Sequence, residues 1–362
     1  MNQHVPANRA LADRLAREIQ GEVLFDRFSR GRYATDASIY QIEPMGVVVP
    51  RTIQDVRVAA EIAREAGVPL LPRGGATSQS GQTVGRALVV DFAKYLTRVL
   101  EVDRAAGTCL VEPGIALDEL NRQLKATGLF FPVDVSTSAR ATIGGMTGNN
   151  SCGTRSIRYG IMRDNVLEID ALLPDGTPAR FGEIDAATFD KASGSFGALA
   201  RDLVSLGARE QDHIRGAFPG VSRRVGGYLI DALLPRNAPI NLATLLCGSE
   251  GTLALSERVK LKLWPQPKNK ALGICHFPTF RAAMEAPQHI VKLGPVAVEV
   301  VDRTLIELAR DIAMFRPVME AHVRGKPDAL LLDEVAEDDQ AENLRRLDRL
   351  EELMGDLGFP GA

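Results

Sequence analysis

Apolar positions along this chain recur with two periods, one helical and one extended, and the two alternate without any internal repeat. In "TIQDVRVAAEIAREAG", Thr52 to Gly67, residues Ile53, Val56, Ala60 and Ala63 fall on one face at helical spacing. Thr52 and Asp55 make a capping-box start and Gly67 a stop, so this segment is predicted as a helix. The amino-terminal "MNQHVPANRALADRLAREIQGE" is polar with a helical period. "VPLLP" and "ALVVDF" read as strands, and the glycine-rich "PRGGATSQSG", Pro72 to Gly81, joins one to the other. Further on, "VLEIDALLPDG" is strand-like, and "LLCGSEGTLALSERVKLKL" sets Gly248, Ser249, Glu250 and Gly251 between two apolar, strand-like runs. Phe181 to Pro235 reads as an insertion-like, largely helical stretch. From Lys268 onward, "ALGICHFPTF", "RAAMEAPQHIVKLG" and "VAVEVVDRTLIELAR" alternate strand and helix patterns, and "DDQAENLRRLDRLEELMGDLG" is an acidic helix.

Composition narrows the class. With 362 residues, 45% hydrophobic and 25% charged, the chain is that of a soluble globular protein with room for two domains. Its 43 basic and 46 acidic residues leave a net charge of -3 with no basic block, so no nucleic-acid partner is expected. The amino terminus lacks the apolar stretch of a signal peptide, and no segment approaches the about 18 uninterrupted apolar residues of a membrane span. The expected location is cytoplasmic, including a peripheral place at the inner face of the membrane. Cys109, Cys152, Cys247 and Cys275 lie far apart without CxxC spacing, and His4, His213, His276, His289 and His322 form no HxxxH pair. No metal or iron–sulfur site is expected from them.

The loop from Pro72 to Gly81 is where chemistry first enters. Glycine is entropically unfavourable in ordered structure, so three in ten residues call for a close approach or a positive φ. A Rossmann fingerprint and a Walker A loop both lead from strand into helix, whereas this loop leads from strand to strand. It also lacks the Gly-Lys-Ser/Thr of a Walker A loop. A nest of backbone N–H groups holding an anion remains, and so does a tight glycine-rich hairpin with no ligand. A second segment, "FPVDVSTSARATIGGMTGNNSCGTRSIRYG", packs five glycines among Asn, Ser and Thr from Phe131 to Gly160. A loop so long and polar is rarely filler. Together with the Gly248–Gly251 segment, three small-residue loops point to one long ligand.

In this order, "PRGGATSQSGQ", "TIGGMTGNNSCG" followed by "YG" and "DNVLEIDALLPDG", and "GSEGTLALSERV" resemble the FAD-binding domain of the FAD-linked oxidases of the p-cresol methylhydroxylase and vanillyl-alcohol oxidase type, over about Pro44 to Pro267. The resemblance implies an α+β fold: a two-subdomain PCMH-type FAD-binding domain followed by the start of an α+β cap (FAD-linked oxidase C-terminal) domain. The implied boundaries are 1–43 for an amino-terminal helical segment, 44–267 for the FAD domain and 268–362 for a partial, truncated cap. It implies that the backbone from Pro72 through Arg73, Gly74, Gly75, Ala76 and Thr77, with Ser80, Gly81 and Gln82, cradles the FAD phosphates. Pro132, Asp134, Thr142, Ile143, Gly144, Gly145, Gly148, Asn150, Ser151, Gly153, Tyr159 and Gly160 would line the flavin, and Glu250, Gly251 and Leu253 its nucleotide end. Several relatives attach FAD through a histidine of the first loop. None stands here, so FAD is expected to be non-covalent, and Cys152 is expected to be an inert filler.

Within the family, "FPVDVSTSARATIGGMTGNNSCGTRSI" and "GPVAVEVVDRTLIELAR" look most like dehydrogenases of D-2-hydroxy acids, particularly long bacterial members that add an iron–sulfur domain. That likeness implies hydride transfer from C2 of D-lactate, glycolate or D-2-hydroxyglutarate to flavin N5. Electrons would leave to a quinone, an Fe–S domain or an electron-transfer protein. Two alternatives share the flavin loops: a non-catalytic or truncated FAD-binding subunit of an electron-transfer complex, and an NADPH-dependent enolpyruvyl sugar-nucleotide reductase. Arg224, Gly227 and Tyr228 stand in a pattern the family also shows, whereas Glu299 and Arg303 read as ordinary charges at a helix start. The family's substrate-binding Arg and Lys and its metal-binding histidines find no match, so the catalytic residues are unknown and expected beyond Ala362. The chain is therefore expected to hold FAD, to turn over hydroxy acids poorly, and to leave "VAVEVVDRTLIELA" and "DALLLDEVA" short of packing partners.

Overall fold

The structure, a computed structural model, describes residues 8–184, 194–221, 223–235 and 239–360. His4, the start of the predicted amino-terminal helix and the last two residues lie outside that set, as does part of the insertion-like stretch. The chain divides into two compact units. The first comprises Met1–Phe131, Val135–Cys152 and Ile161–Trp264, the second Pro132–Asp134, Gly153–Gly160 and Pro265–Ala362.

The first unit is organised around the helix Ile53–Glu65. Thr52 Oγ1 accepts from the Asp55 N–H at 3.1 Å and Asp55 returns the bond to the Thr52 N–H, as the sequence predicts. One side of this helix buries Ala59, Ile62 and Ala63 against Leu11, Leu15, Val48 and Leu88. The other presents Val56 to Val90, Phe92, Leu96, Leu172 and Leu255. Ile62 is 1% exposed, and complete burial of such a side chain stabilises by about 1.5–3 kcal/mol. The helix therefore joins two sheets. In the first, strands run in the order Glu22–Leu24, Gly46–Val49, Leu88–Asp91, Leu70–Arg73. The second is antiparallel, in the order Val99–Asp103, Thr108–Val111, Leu255–Lys262, Val166–Leu172, Pro178–Phe181. Arg57 on the helix adds a two-pronged ion pair, both bonds 2.6 Å, to the buried Glu257 of that second sheet.

Leu70–Arg73 and Leu88–Asp91 are parallel neighbours. A hairpin joins antiparallel strands, so the ligand-free hairpin reading of the first glycine loop is excluded. The loop is a crossover without a helix. Two other segments differ from their sequence pattern. The apolar run before Gly248 is not a strand but a helical turn, Ala243–Leu246, started by Asn241 Oδ1, which accepts from the Ala243 N–H at 2.9 Å. Short apolar runs do not distinguish the two states by period. The polar stretch 131–160 is likewise not one loop, because Ile143–Asn149 and Ser156–Tyr159 are helical.

The second unit carries an antiparallel sheet in the order Asn269–Phe277, Ala329–Glu337, Ala297–Asp302. Cys275, Phe277 and Leu331 pack against Ala283, Ile290, Leu350 and Met354 from the helices that cover one face. Ala329–Glu337 is the central strand, paired on both sides, which corrects the expectation that "DALLLDEVA" would lack partners. The exposure falls elsewhere. Helices Arg303–Asp311 and Arg316–His322 leave Leu305, Leu308, Ile312, Met314, Phe315 and Val318 in solvent. Arg303 pairs with Asp328 at 3.1 Å, and the Asp302 side chain caps the helix by accepting from the Leu305 N–H at 2.8 Å.

Candidate functional site

Arg73 ends its strand with a buried side chain whose guanidinium donates to the carbonyls of Tyr33 (3.1 Å), Thr35 (2.7 Å) and Thr83 (3.1 Å). It also lies over the Tyr33 ring. The cation thus fastens the two flanks of the loop from inside, and only its backbone is offered outward. A β-carbon on Gly74 would collide with Thr142 Oγ1, and one on Gly75 with Arg140 O. These glycines are demanded by the protein's own atoms, the Thr142 side chain and the Arg140 carbonyl, against which the loop is pressed. Ala76 (φ 54°) and Gly81 (φ 78°) take left-handed conformations that turn the loop back on itself. The half-buried N–H groups of Gly74, Gly75, Ala76, Thr77 and Ser78 donate to no acceptor among the described residues. Consecutive backbone donors left unpaired by the protein can take an external anionic acceptor.

The second and third segments close on the first. Thr142 caps the helix Ile143–Asn149, its Oγ1 accepting from the Gly145 N–H at 3.2 Å, and Gly144 donates to Pro113 O at 2.7 Å. Gly248 donates to Thr147 O and Glu250 to Gly148 O, both at 2.9 Å, which docks the 248–252 turn on that helix. Asn150, buried and left-handed at φ 50°, accepts the Arg163 N–H at 3.1 Å and donates through Nδ2 to Arg224 O at 3.3 Å. Ser151 sits beside it and takes a bond from Asn149 Nδ2 at 3.0 Å. Gln82 Nε2 reaches Glu250 Oε1 at 3.2 Å, and Gly251 packs on the Pro72 ring so closely that a β-carbon would not fit. Pro72–Thr77, Ser80–Gln82, Thr142–Gly145, Gly148, Asn150, Ser151 and Glu250–Leu253 are thus carried by one unit. Gly251 and Leu253 also border a cleft of about 380 Å³ lined by Arg64, Leu70, Asp175 and Leu255.

The other five candidates belong to the second unit. Asp134 accepts from Thr154 Oγ1 at 2.6 Å and from the Arg155 N–H at 3.1 Å, and Gly153 leaves no room for a β-carbon beside Asp134 O. Pro132 precedes it, buried. Tyr159 is buried, which pushes its phenol pKa up, and Gly160 turns left-handed at φ 77°.

Residues 44–182 match the family described as FAD binding domain, and residues 266–360 match the FAD linked oxidases, C-terminal domain. The chain belongs to the FAD-linked oxidases. Against individual proteins, this FAD-linked oxidase chain is 33% identical over 307 residues to D-2-hydroxyglutarate dehydrogenase of Pseudomonas putida, covering 83% of this chain and 30% of that protein. It is 32% identical to D-2-hydroxyglutarate dehydrogenase of Escherichia coli K12, over 85% of this chain and 31% of that protein. To "Glycolate oxidase subunit GlcD" of Bacillus subtilis it is 29% identical, over 82% of this chain and 54% of that protein. The chain therefore spans about a third of the length of the D-2-hydroxyglutarate dehydrogenases it matches. Among solved structures, an alkyldihydroxyacetonephosphate synthase superposes with a TM-score of 0.71 at 19% identity, over 98% of this chain and 62% of the other, which is a likeness of fold.

The residues of this FAD-linked oxidase fit the FAD that its domain implies. FAD carries an anionic pyrophosphate, and the unpaired N–H groups of the first loop are donors without a protein partner. Among the described residues, no group of three His, Cys, Asp or Glu side chains is placed to hold a metal, and no helix is long and apolar enough to cross a membrane. Cys152 is half-buried and free, and Cys109, Cys247 and Cys275 are buried thiols whose pKa values burial pushes up to about 12.

Sequence reasoning missed the segment that backs the first loop. The Ala37 N–H donates to Ala76 O at 3.1 Å, Thr83 Oγ1 to Asp36 at 2.9 Å, and the Tyr40 ring packs where a β-carbon of Gly81 would be. Its signal in the sequence was weak: Ile39 and Tyr40 are apolar residues in a polar stretch with no period. Thr252 was missed as well, and its partner is Tyr228.

Proposed function

We propose that this chain is the FAD-holding part of a dehydrogenase that oxidises D-2-hydroxy acids, with FAD bound non-covalently and its electrons passed on to a quinone, an Fe–S domain or an electron-transfer protein. The observation that carries the reading is the convergence of the three small-residue segments around the unpaired N–H groups of residues 74–78. The names of the relatives, D-2-hydroxyglutarate dehydrogenase and glycolate oxidase subunit, support the substrate class. In this reading the first loop binds the pyrophosphate through its backbone, and Thr142–Ser151 orients the ring. The cleft beside Gly251 and Leu253, within the size range of ligand pockets, takes the adenosine end. Bound FAD supplies the acceptor for the hydride leaving the substrate's C2.

Purified protein loaded with FAD, made anaerobic and mixed with D-lactate, glycolate, D-2-hydroxyglutarate or NADPH, tests this by the loss of flavin absorbance. A single turnover needs no outside acceptor. Bleaching by a D-2-hydroxy acid is expected to be slow, because the family's substrate-binding Arg and Lys find no match among these residues, and acid precipitation should leave the yellow colour in the supernatant. Bleaching by NADPH alone would overturn the substrate class in favour of a reductase, and flavin held in the acid pellet would overturn non-covalent binding.

A further inference from the structure

The turn Ser249–Thr252 has two consecutive left-handed residues, Glu250 at φ 53° and Gly251 at φ 75°. A glycine tolerates this, whereas a glutamate is held there against an intrinsic preference for right-handed φ. Two bonds close the turn on itself: the Thr252 N–H donates to Ser249 O at 3.0 Å, and Thr252 Oγ1 donates to the same carbonyl at 2.6 Å. The Thr252 hydroxyl has one hydrogen, and that hydrogen is used. At the 2.8 Å contact between Tyr228 Oη and Thr252 Oγ1, the phenol is therefore the donor. A directed chain results, from Tyr228 O–H to Thr252 Oγ1–H to Ser249 O.

The segment that delivers Tyr228 is itself placed by the site. Arg224 O takes the Asn150 side-chain bond, Arg224 is ion-paired with Asp231, and a β-carbon on Gly248 would lie 3.2 Å from Gly227 O. Gly227, at φ 76°, lets the chain turn so that a tyrosine 49% exposed reaches back to the turn. The opposite side of the turn is tied to the first loop by Gln82 on Glu250.

We infer that Tyr228 is a positioning residue for the cofactor: its hydroxyl, through Thr252, holds the Glu250–Gly251 turn in the left-handed geometry that receives the nucleotide end of FAD. This deepens the proposed function and rests on its reading of that turn. The alternative is a surface tyrosine whose hydrogen bond is incidental, and the two differ in what a double substitution does. FAD affinity is measured by titration of flavin fluorescence on the full chain, with the melting temperature of the cofactor-free protein alongside. Tyr228→Phe keeps the ring and should weaken FAD binding about three- to tenfold, with the melting temperature of the cofactor-free protein unchanged. Thr252→Val should do the same, and Thr252→Ser, which keeps the hydroxyl, should restore wild-type affinity. Because both residues act through one chain, the double variant Tyr228→Phe with Thr252→Val should be no weaker than the weaker single variant. An unchanged affinity in Tyr228→Phe, or losses that multiply in the double variant, overturns the inference while the cofactor reading stands. A wild-type protein that binds no FAD overturns both.

Discussion

Asp333 is a carboxyl where the rest of its neighbourhood is apolar. It lies on the central strand of the second unit, 2% exposed, on the face shared with Cys275 and Leu331 and with no hydrogen bond or ion pair among the described residues. Burial without a partner disfavours the charged form and lifts its pKa from the ordinary aspartate value of 3.8 to about 7. The folded state therefore holds a proton that the unfolded chain has already lost between those values. Below about pH 4 both states are protonated and the group has no effect. Stability falls as pH rises toward 7, and above it the full cost, on the order of 4 kcal/mol at most, is present. Asp333→Asn should be clearly more stable than wild type at pH 8 and equal to it at pH 4 in denaturant unfolding, and a difference that does not depend on pH would reject this account. At the same scale the sequence revealed that Gly74 and Gly75 matter without revealing why. Their composition pointed to a phosphate, but the atoms that exclude a β-carbon belong to Thr142 and Arg140, which no local pattern connects to them.

Elements were legible where their signals were redundant. The helix Ile53–Glu65 has a cap, a period and a stop that agree, and it forms as read. What its sequence did not show is that Asp55 does more than cap. Buried, it accepts from the N–H groups of Arg51 (2.8 Å) and Thr52 (3.2 Å) and also from Gln20 (3.0 Å), thereby fixing the chain that follows the amino-terminal helix Arg9–Glu18. Asp55→Ala strands three donors, one of them from another element, and should destabilise the first unit by about 2–3 kcal/mol. Asp55→Asn, which keeps an acceptor oxygen, should lose less. A shift in the denaturation midpoint no larger than that of a surface substitution would show that water replaces the carboxylate freely. The turn Ala243–Leu246 and the parallel partner of Leu70–Arg73 were illegible for a different reason. Four apolar residues suit helix and strand alike, and strand direction depends on pairing rather than on composition.

At the scale of the whole molecule, the α+β architecture and the order of the three loops were readable because each loop is punctuated by glycine. The placement of exposed apolar surface was not. The central strand Ala329–Glu337 is satisfied by its two neighbours, so the apolar surface appears instead on helices Arg303–Asp311 and Arg316–His322 and the residues between them. There Met314 is 75%, Leu308 54% and Phe315 46% exposed, with Leu305, Ile312 and Val318 beside them in sequence. Single exposed apolar residues are ordinary, but six within fourteen positions, Leu305 to Val318, favour association. The protein should bind the hydrophobic dye ANS when folded and should self-associate as concentration rises in sedimentation velocity. Replacing Leu308 and Phe315 together by glutamate should reduce both signals. Because each side chain is about half exposed, the pair should shift unfolding free energy by about 1 kcal/mol, and FAD binding, which the proposed function gives to loops of the first unit, should be unaffected. A wild-type protein that stays monomeric and dye-silent at high concentration would mean that these side chains cover one another in solution more fully than their exposures allow.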